Sequence, residues 1–366
     1  IGSYGGMLSE FSSPQLGAEV IAGLFEQIDI SVNKVDEVIM GNVLSAGIGQ
    51  APARQAALYS GLPNKVECLT INKMCGSGLK AIMLGDSIIK SNGSGLIIAG
   101  GMESMSNAPL LMSKSINRVG HQRMVDSMLH DGLWDAYNDM HMGNCAELLV
   151  TERNYTREQQ DKYSVRSYQR AQEAQQKGYF DSEIIPLMNT KEISIVNDEE
   201  PARAKFEKIP MIKPVFEEDG TITAANASKL NDGAAAVMLM SKENIEKYNI
   251  KPIARILSHC SFAHDPKWFT TAPGGAIKKV LIKAGLTIED IDLWEINEAF
   301  AAVTMAAIDD FKLDDTKVNI HGGAVALGHP IGASGARILT TLIYALERMK
   351  KNIGLATLCI GGGEAS

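Results

Sequence analysis

Residues 75–82 read CGSGLKAI and residues 328–338 read GHPIGASGARI, two glycine-rich turns that each open onto an apolar helical pattern. The segments around them also correspond. VDEVIMGNV at 35–43 and GLIIAGGMES at 95–104 flank the first turn, as IDLWEINEAF at 291–300 and GLATLCIGGGEAS at 354–366 flank the second. The separations nearly agree: Gly41 to Cys75 is 34 residues and Asn297 to His329 is 32. This internal echo predicts two similar α/β halves that face each other and present reactive residues at equivalent turns.

The 366 residues are 45% hydrophobic and 21% charged, which suits a soluble chain with more than one core. A net charge of -8 with scattered Lys and Arg gives no field that would hold a nucleic-acid backbone, so an anionic ligand must be met locally. No apolar run approaches the roughly 20 residues that span a bilayer, so no membrane is expected. The opening IGSYGG carries no signal or transit peptide, and the cytoplasm is the expected compartment, or the mitochondrial matrix if an N-terminal segment precedes Ile1. Cys68, Cys75, Cys145, Cys260 and Cys359 are odd in number and lack a CxxC pair, which argues against a disulfide or zinc framework. Most of the five are expected in the core.

Cys75 lies where a strand-like run meets Gly76, Ser77 and Gly78 and a helix begins. Unpaired amides and the helix dipole there favour an anion, so its thiolate fraction is expected to exceed that of a free thiol. The same fragment equally suits a buried cysteine at a tight turn. His329 occupies the mirrored strand-to-helix turn, and a Cys with a His is the minimal arrangement for thiol activation. Cys359 precedes three glycines whose amides can form an anion-binding nest, although taken alone it reads as a core strand cysteine. In NEAF, Asn297 and Glu298 place an amide and a carboxylate at a strand end.

Taken together, NKMCGSG at 72–78, GGMESMS at 100–106, HMG at 141–143, NASKLNDGAA at 226–235, NEAF at 297–300, GGAVALGHPIGASG at 322–335 and CIGGG at 359–363 resemble the thiolase family in order and spacing, over essentially the whole chain. HMG, with DGLWDAYNDM just before it, is similar to the acetyl-CoA acetyltransferase branch. Asn297 stands where a ketoacyl synthase would carry a second histidine. The sequence begins inside the family's usual opening motif and stops at Ser366, where a final strand normally continues. GGGEAS stands where GGGMG is more frequent.

The resemblance implies an α/β thiolase fold: two similar βαβαβ-type halves forming a layered α-β-α-β-α core. Residues 1–101 and 231–251 would form the N-terminal half, 252–366 the C-terminal half, and 102–230 an inserted loop domain over the coenzyme A site. It implies Cys75 as nucleophile, His329 as its base, Cys359 as the acid/base at the α-carbon, and Asn297 as holder of a water beside the enolate. The amides of Cys75 and Gly361 would form the oxyanion hole. Substrate contacts would come from His141, Met142, Phe216, Ala224, Ser228, Ala299 and Phe300, with Arg203 as the candidate for the adenosine phosphate, or else a solvated surface charge. Tyr168 and the carbonyls of Ala224, Ala225, Ala227 and Val325 fall where potassium-stimulated members hold that ion, and no other cofactor is required. The implied reaction joins two acetyl-CoA into acetoacetyl-CoA and CoA, reversibly, in a homodimer or homotetramer. The alternatives are a broad-range 3-ketoacyl-CoA thiolase of fatty-acid degradation and a non-catalytic CoA- or lipid-binding protein of the same fold.

Overall fold

A computed structural model describes residues 1–114 and 121–366 of the chain. Residues 115–120, within the expected loop domain, lie outside the described residues.

The N-terminal half runs β1 (Gly2–Ser3), α1 (Ser13–Gln27), β2 (Glu37–Gly41), α2 (Pro52–Tyr59), β3 (Glu67–Ile71), α3 (Ser77–Lys90) and β4 (Leu96–Ser104). After two further helices, α4 (Met142–Arg153) and α5 (Arg157–Gln176), β5 (Asn231–Met240) returns to it. These five strands form one sheet in the order β1-β5-β4-β2-β3. Strands β4, β2 and β3 are mutually parallel, whereas β5 runs antiparallel to β4. Helices cover both faces, so β4 is apolar at successive positions rather than alternating with polar ones. Leu96, Ile98 and Met102 pack with Ile21, Ala53 and Ala56 of α1 and α2, while Ile97 and Ala99 pack with Ala81 and Ile82 of α3.

The C-terminal half contains β6 (Phe262–Ala263), α6 (Ala272–Ala284), β7 (Leu293–Ile296), α7 (Ala301–Phe311), α8 (Ala324–Leu327), α9 (Ser334–Met349), β8 (Gly354–Thr357), β9 (Cys359–Ile360) and β10 (Glu364–Ala365). Trp294 and Ile296 of β7 face Ile277, Leu281 and Ala307 of α6 and α7, whereas Leu293 faces Leu342 and Ala345 of α9. On the inner side, Leu79 and Met83 of α3 meet Ile338 of α9 and Leu358 and Ile360. The layers are thus α1/α2, first sheet, α3/α9, second sheet, α6/α7, as the resemblance implied. The halves differ in one respect. The second ladder divides at Leu358 into the parallel pair β7-β8 and an antiparallel β6-β10-β9 set, because Leu358 turns to exchange backbone hydrogen bonds with Ser366.

Strand β4 continues three residues beyond the boundary drawn at 101, because Met102, Glu103 and Ser104 are buried and paired with Ala234, Gly233 and Asp232. In the part of the chain that joins the two halves, α5 starts on a reciprocal cap in which Thr156 Oγ accepts from the Gln159 amide and Gln159 Oε1 from the Thr156 amide. With α4 it lies beside α7.

The two central helices approach so closely that they exclude side chains. A Cβ on Gly78 would lie 2.8 Å from the Ala336 nitrogen, and one on Gly335 would lie 2.5 Å from the Leu79 nitrogen. Because the obstacle is backbone, a substituent must force the helices apart. Gly335→Ala is expected to lower unfolding free energy by about 1–3 kcal/mol, read from the denaturant midpoint. An unchanged midpoint would show that this contact is not tight.

Candidate active site

Cys75 lies between β3 and α3, after Met74, which adopts a left-handed φ of 47°, and before Gly76, the N-cap of α3. Its side chain remains partly accessible, while the surrounding protein desolvates the sulfur. The Gly361 amide donates toward that sulfur. Cys359 lies near enough for a Cys75 thiolate to oppose its ionisation. Burial pushes Cys75 up to about 11, against the pull of the Gly361 amide and its own, and the Glu103 carboxylate adds to the push. The thiolate-rich Cys75 expected from a helix N-terminus is therefore corrected: the amides are present, but desolvation of a charged sulfur outweighs them. Cys359 is fully buried, which raises its thiol well above the ordinary value.

His329 is buried and has a defined tautomer. Ser334 Oγ donates to the Pro330 carbonyl at 2.9 Å, so its single proton is committed there. The hydrogen bond between Ser334 Oγ and His329 Nδ1 must then be donated by Nδ1. In a neutral ring this leaves Nε2 with a free lone pair, and Nε2 has no protein partner among the described residues. The ring is neutral at pH 7, because burial, helped by the Arg337 guanidinium, lowers it to about 4. Asn231 Oδ1 accepts from the His329 amide at 3.0 Å, and its Nδ2 donates to the Gly2 carbonyl. The turn is not equivalent to that of Cys75. His329 follows the short helix α8 rather than a strand, since the glycine-framed AVAL at 324–327 closes one helical turn on Gly323.

Asn297 follows β7 directly and donates its amide to the Thr357 carbonyl. Its side chain is fully buried, and neither Oδ1 nor Nδ2 has a protein partner among the described residues. Leaving such groups unpaired costs about 1–3 kcal/mol each. A chain that retains them, as it retains His329 Nε2, presents hydrogen-bonding capacity to a ligand.

The turn at 361–363 is glycine for two reasons. Gly362 and Gly363 adopt φ of 90° and 81°. Gly361 is different: a Cβ there would meet only Met142 and Met74, at 3.7 and 3.8 Å. The open side of that amide thus faces an apolar approach. Met142 and Phe216 pack on the cluster that holds Cys359, Ala227, Ala299 and Phe300. His141 stacks on Phe216 at 4.8 Å, and Phe216 meets Phe300 edge-on at 6.1 Å. The Ser228 amide donates to Ala299 at 2.9 Å, and Ala224 is exposed just before it. Seven of the eight expected substrate residues therefore line one region. Arg203 is exposed on the short 3-10 helix Pro201–Arg203, and its guanidinium makes no hydrogen bond or ion pair among the described residues. A cavity of about 1550 Å³ between Leu24, Ile185, Ile253 and Tyr344 is lined by none of the expected catalytic residues.

The expected potassium cradle meets a competitor that was overlooked in the sequence. Lys229 Nζ donates to the carbonyls of Ala224, Ala227 and Val325 and lies over the Tyr168 ring. Two buried carboxylates also bind the site together: Glu103, passed over in the sequence, and Glu298, noted there only as a carboxylate at a strand end. Glu103 accepts from Asn42 Nδ2 and from the amides of Val43, Leu44 and Gly332. Glu298 accepts from Tyr163, Ser167, Asn319 and the Val325 amide. Both sit inside motifs already singled out, GGMES and NEAF, where a carboxylate at a buried strand end is the available signal.

The raised thiol makes a distinctive expectation for alkylation. With an ionisation near 11, the Cys75 thiolate fraction climbs about tenfold per pH unit between pH 7 and 9, whereas a free thiol near 8.5 levels off across that range. Iodoacetamide labelling, followed by peptide mass spectrometry, should show this unbroken rise at Cys75. A plateau beginning near pH 7 would mean that the thiolate is stabilised after all.

The two parts of the chain match two family models, "Thiolase, N-terminal domain" over residues 1–243 and "Thiolase, C-terminal domain" over residues 250–366. The chain is 48% identical to the mitochondrial acetyl-CoA acetyltransferase of Mus musculus, across 100% of this chain and 87% of that protein. It is 47% identical to the acetyl-CoA acetyltransferase of Pseudomonas aeruginosa, across 100% and 94%. Among solved structures, a thiolase from Ascaris suum in complex with coenzyme A superposes with a TM-score of 0.96 at 43% identity, covering 100% of this chain and 95% of that one. With both domain models matched and this identity held end to end, the chain belongs to the thiolase family.

Proposed function

We propose that the chain is an acetyl-CoA C-acetyltransferase, which condenses two acetyl-CoA into acetoacetyl-CoA and CoA and runs the reverse thiolysis. The observation that carries this reading is the closeness of two thiols, the partly accessible Cys75, toward which the Gly361 amide donates, and the buried Cys359. A module that only binds its ligand has no use for two such thiols beside an imidazole with a free lone pair. The names of the mouse and Pseudomonas relatives support the same substrate.

Cys75 attacks the thioester carbonyl while His329 Nε2 takes its proton, and the oxyanion forms against the Cys75 and Gly361 amides. Collapse expels the CoA thiolate, which takes the proton of the Cys359 thiol, while His329 keeps the proton from Cys75, and Cys75 is acetylated. A second acetyl-CoA enters, and the Cys359 thiolate takes a proton from its α-carbon. The enolate oxygen accepts from protonated His329 Nε2 and, through a water, is held by Asn297. The carbanion attacks the acetyl group, acetoacetyl-CoA leaves, and the Cys75 thiolate regains its proton from His329. The kinetics are ping-pong, because CoA departs before the second substrate binds. His141, Met142, Phe216, Ser228, Ala299 and Phe300 form the bed for the pantetheine arm.

The protein is assigned to the cytoplasm, supported by five free cysteines and by a bacterial relative, with the mitochondrial matrix as the alternative from the mouse relative. No helix among the described residues is long and apolar enough to cross a membrane. A homodimer or homotetramer is proposed from the family's habit, with light scattering as the check.

The deciding assay compares CoA-dependent thiolysis of acetoacetyl-CoA with that of a long-chain 3-ketoacyl-CoA. A strong preference for acetoacetyl-CoA is expected. Comparable or better long-chain rates would move the protein to fatty-acid degradation, and cleavage of neither would remove the catalytic reading. Within the mechanism, Cys359→Ala should still form acetyl-Cys75 but lose about 10²–10⁴-fold in condensation. Full turnover by that variant would take Cys359 out of the reaction.

A further inference from the structure

Lys229 stands in the middle of the ligand loop, next to Ser228, yet its side chain turns away from solvent into a ring of backbone oxygens. Nζ donates to the carbonyl of Ala224, to that of Ala227 at 3.1 Å and to that of Val325 at 3.4 Å. An ammonium has three protons and no lone pair, so these acceptors use its whole capacity. The Tyr168 ring, itself buried, lies 5.5 Å away, within cation–π range. Burial lowers the Lys229 ionisation to about 8, against the negative charge of the Glu200 and Glu298 carboxylates, so it remains an ammonium at pH 7.

Four of these residues, Tyr168, Ala224, Ala227 and Val325, belong to the set of five that the thiolase resemblance assigned to potassium, which also includes Ala225. A free ion seated on the same carbonyls would lie within a few ångströms of Nζ. Two like charges that close repel strongly in a poorly solvated ring, and three of these carbonyls already accept a hydrogen bond from Nζ. The ring therefore does not fit potassium while Lys229 occupies it.

We propose that Lys229 is a tethered monovalent cation, whose ammonium takes the place of a free potassium ion in bracing the substrate loop. The brace has a direct route to the chemistry. Ala224 and Ala227 flank the loop that ends at Ser228, whose amide is bonded to Ala299. Val325 lies four residues before His329, and its amide is bonded to Glu298, the neighbour of Asn297. One ammonium thus joins the substrate loop to the segments that carry both the base and the enolate-binding amide. Being covalently attached, it is present at a fixed effective concentration whatever the salt. Lys229 touches no reacting atom, so its role is positioning.

The kinetic part of the test rests on the acetyltransferase reading, and the thermal part does not. In the unmodified protein, exchanging choline chloride for potassium chloride at equal ionic strength should change kcat/KM for acetoacetyl-CoA by less than about twofold, since screening is matched. Lys229→Ala empties the ring; in choline it should lose about tenfold in kcat/KM, mostly through KM, and potassium should restore most of that loss. Lys229→Met fills the same space without charge, so it should show the loss and no rescue. Melting temperatures should follow the same pattern, with potassium raising that of Lys229→Ala but not that of the unmodified protein or Lys229→Met. The proposal is overturned if potassium stimulates or thermally stabilises the unmodified protein severalfold more than choline does, or if Lys229→Ala matches it in every salt. If Lys229→Ala does not fold, the unmodified protein and Lys229→Met still decide.

Discussion

The back-to-back contact of α3 and α9 is the constraint on which the rest depends. Each sheet already buries one face under its outer helices, and the second faces must share a single helical layer. That layer is thin because Gly78 and Gly335 let backbone meet backbone. Both helices carry reactive residues just ahead of their first turns, Cys75 before α3 and His329 before α9. The close approach that completes the core is therefore also what brings the two turns into one site, with Ile331 packed in the same cluster as Cys75. Stability and catalysis share this contact.

Loops that converge on such a layer need their amides satisfied without water, and two carboxylates do this. Glu103 collects amides from 43–44 and from Gly332, so one buried side chain from the first half fixes a loop of the second. Glu298 does the reverse, tying the turn after β7 to α5 and to the segment before His329. A lone buried carboxylate would be costly, but each of these has four donors. Burial still pushes Glu103 up to about 7, against its three amides, so the compensation is incomplete. Such residual cost is tolerable because the same bonds define the geometry of the site.

Much of the architecture was legible because it is written locally. The apolar run at 96–104 between glycine and serine reads as a doubly covered strand, and CGSGLKAI reads as a strand-to-helix turn; both are so. Other features depend on partners far along the chain. Lys229 reads as an ordinary solvated charge until Val325, 96 residues away, closes its ring. The AVAL of 324–327 is too short to show a period in the sequence, and the bond from the Leu327 amide to the Gly323 carbonyl is what makes it helix α8. Helix-end amides near Cys75 were visible in the sequence, whereas the desolvation that outweighs them is a property of the assembled core. Arg203 stands apart from these, exposed on a short 3-10 helix.

The neutral resting state of Cys75 and His329 fits the chemistry better than a preformed ion pair would. A thiolate stabilised in the ground state is a weaker nucleophile and is open to oxidation, while the protonated thiol is inert until a carbonyl arrives. The amides of Cys75 and Gly361 are too few to ionise the buried sulfur. When the sulfur attacks, however, its charge passes to the carbonyl oxygen, where the same donors act on a group that carries the charge only in the transition state. Nε2 of His329, with its lone pair fixed by the Ser334 hydrogen bond, accepts the proton in the same event. Burial then contributes twice: it withholds charge from the resting site and strengthens the donors when charge develops. The elevated thiol is thus part of how the site discriminates between an empty cleft and one that holds a thioester.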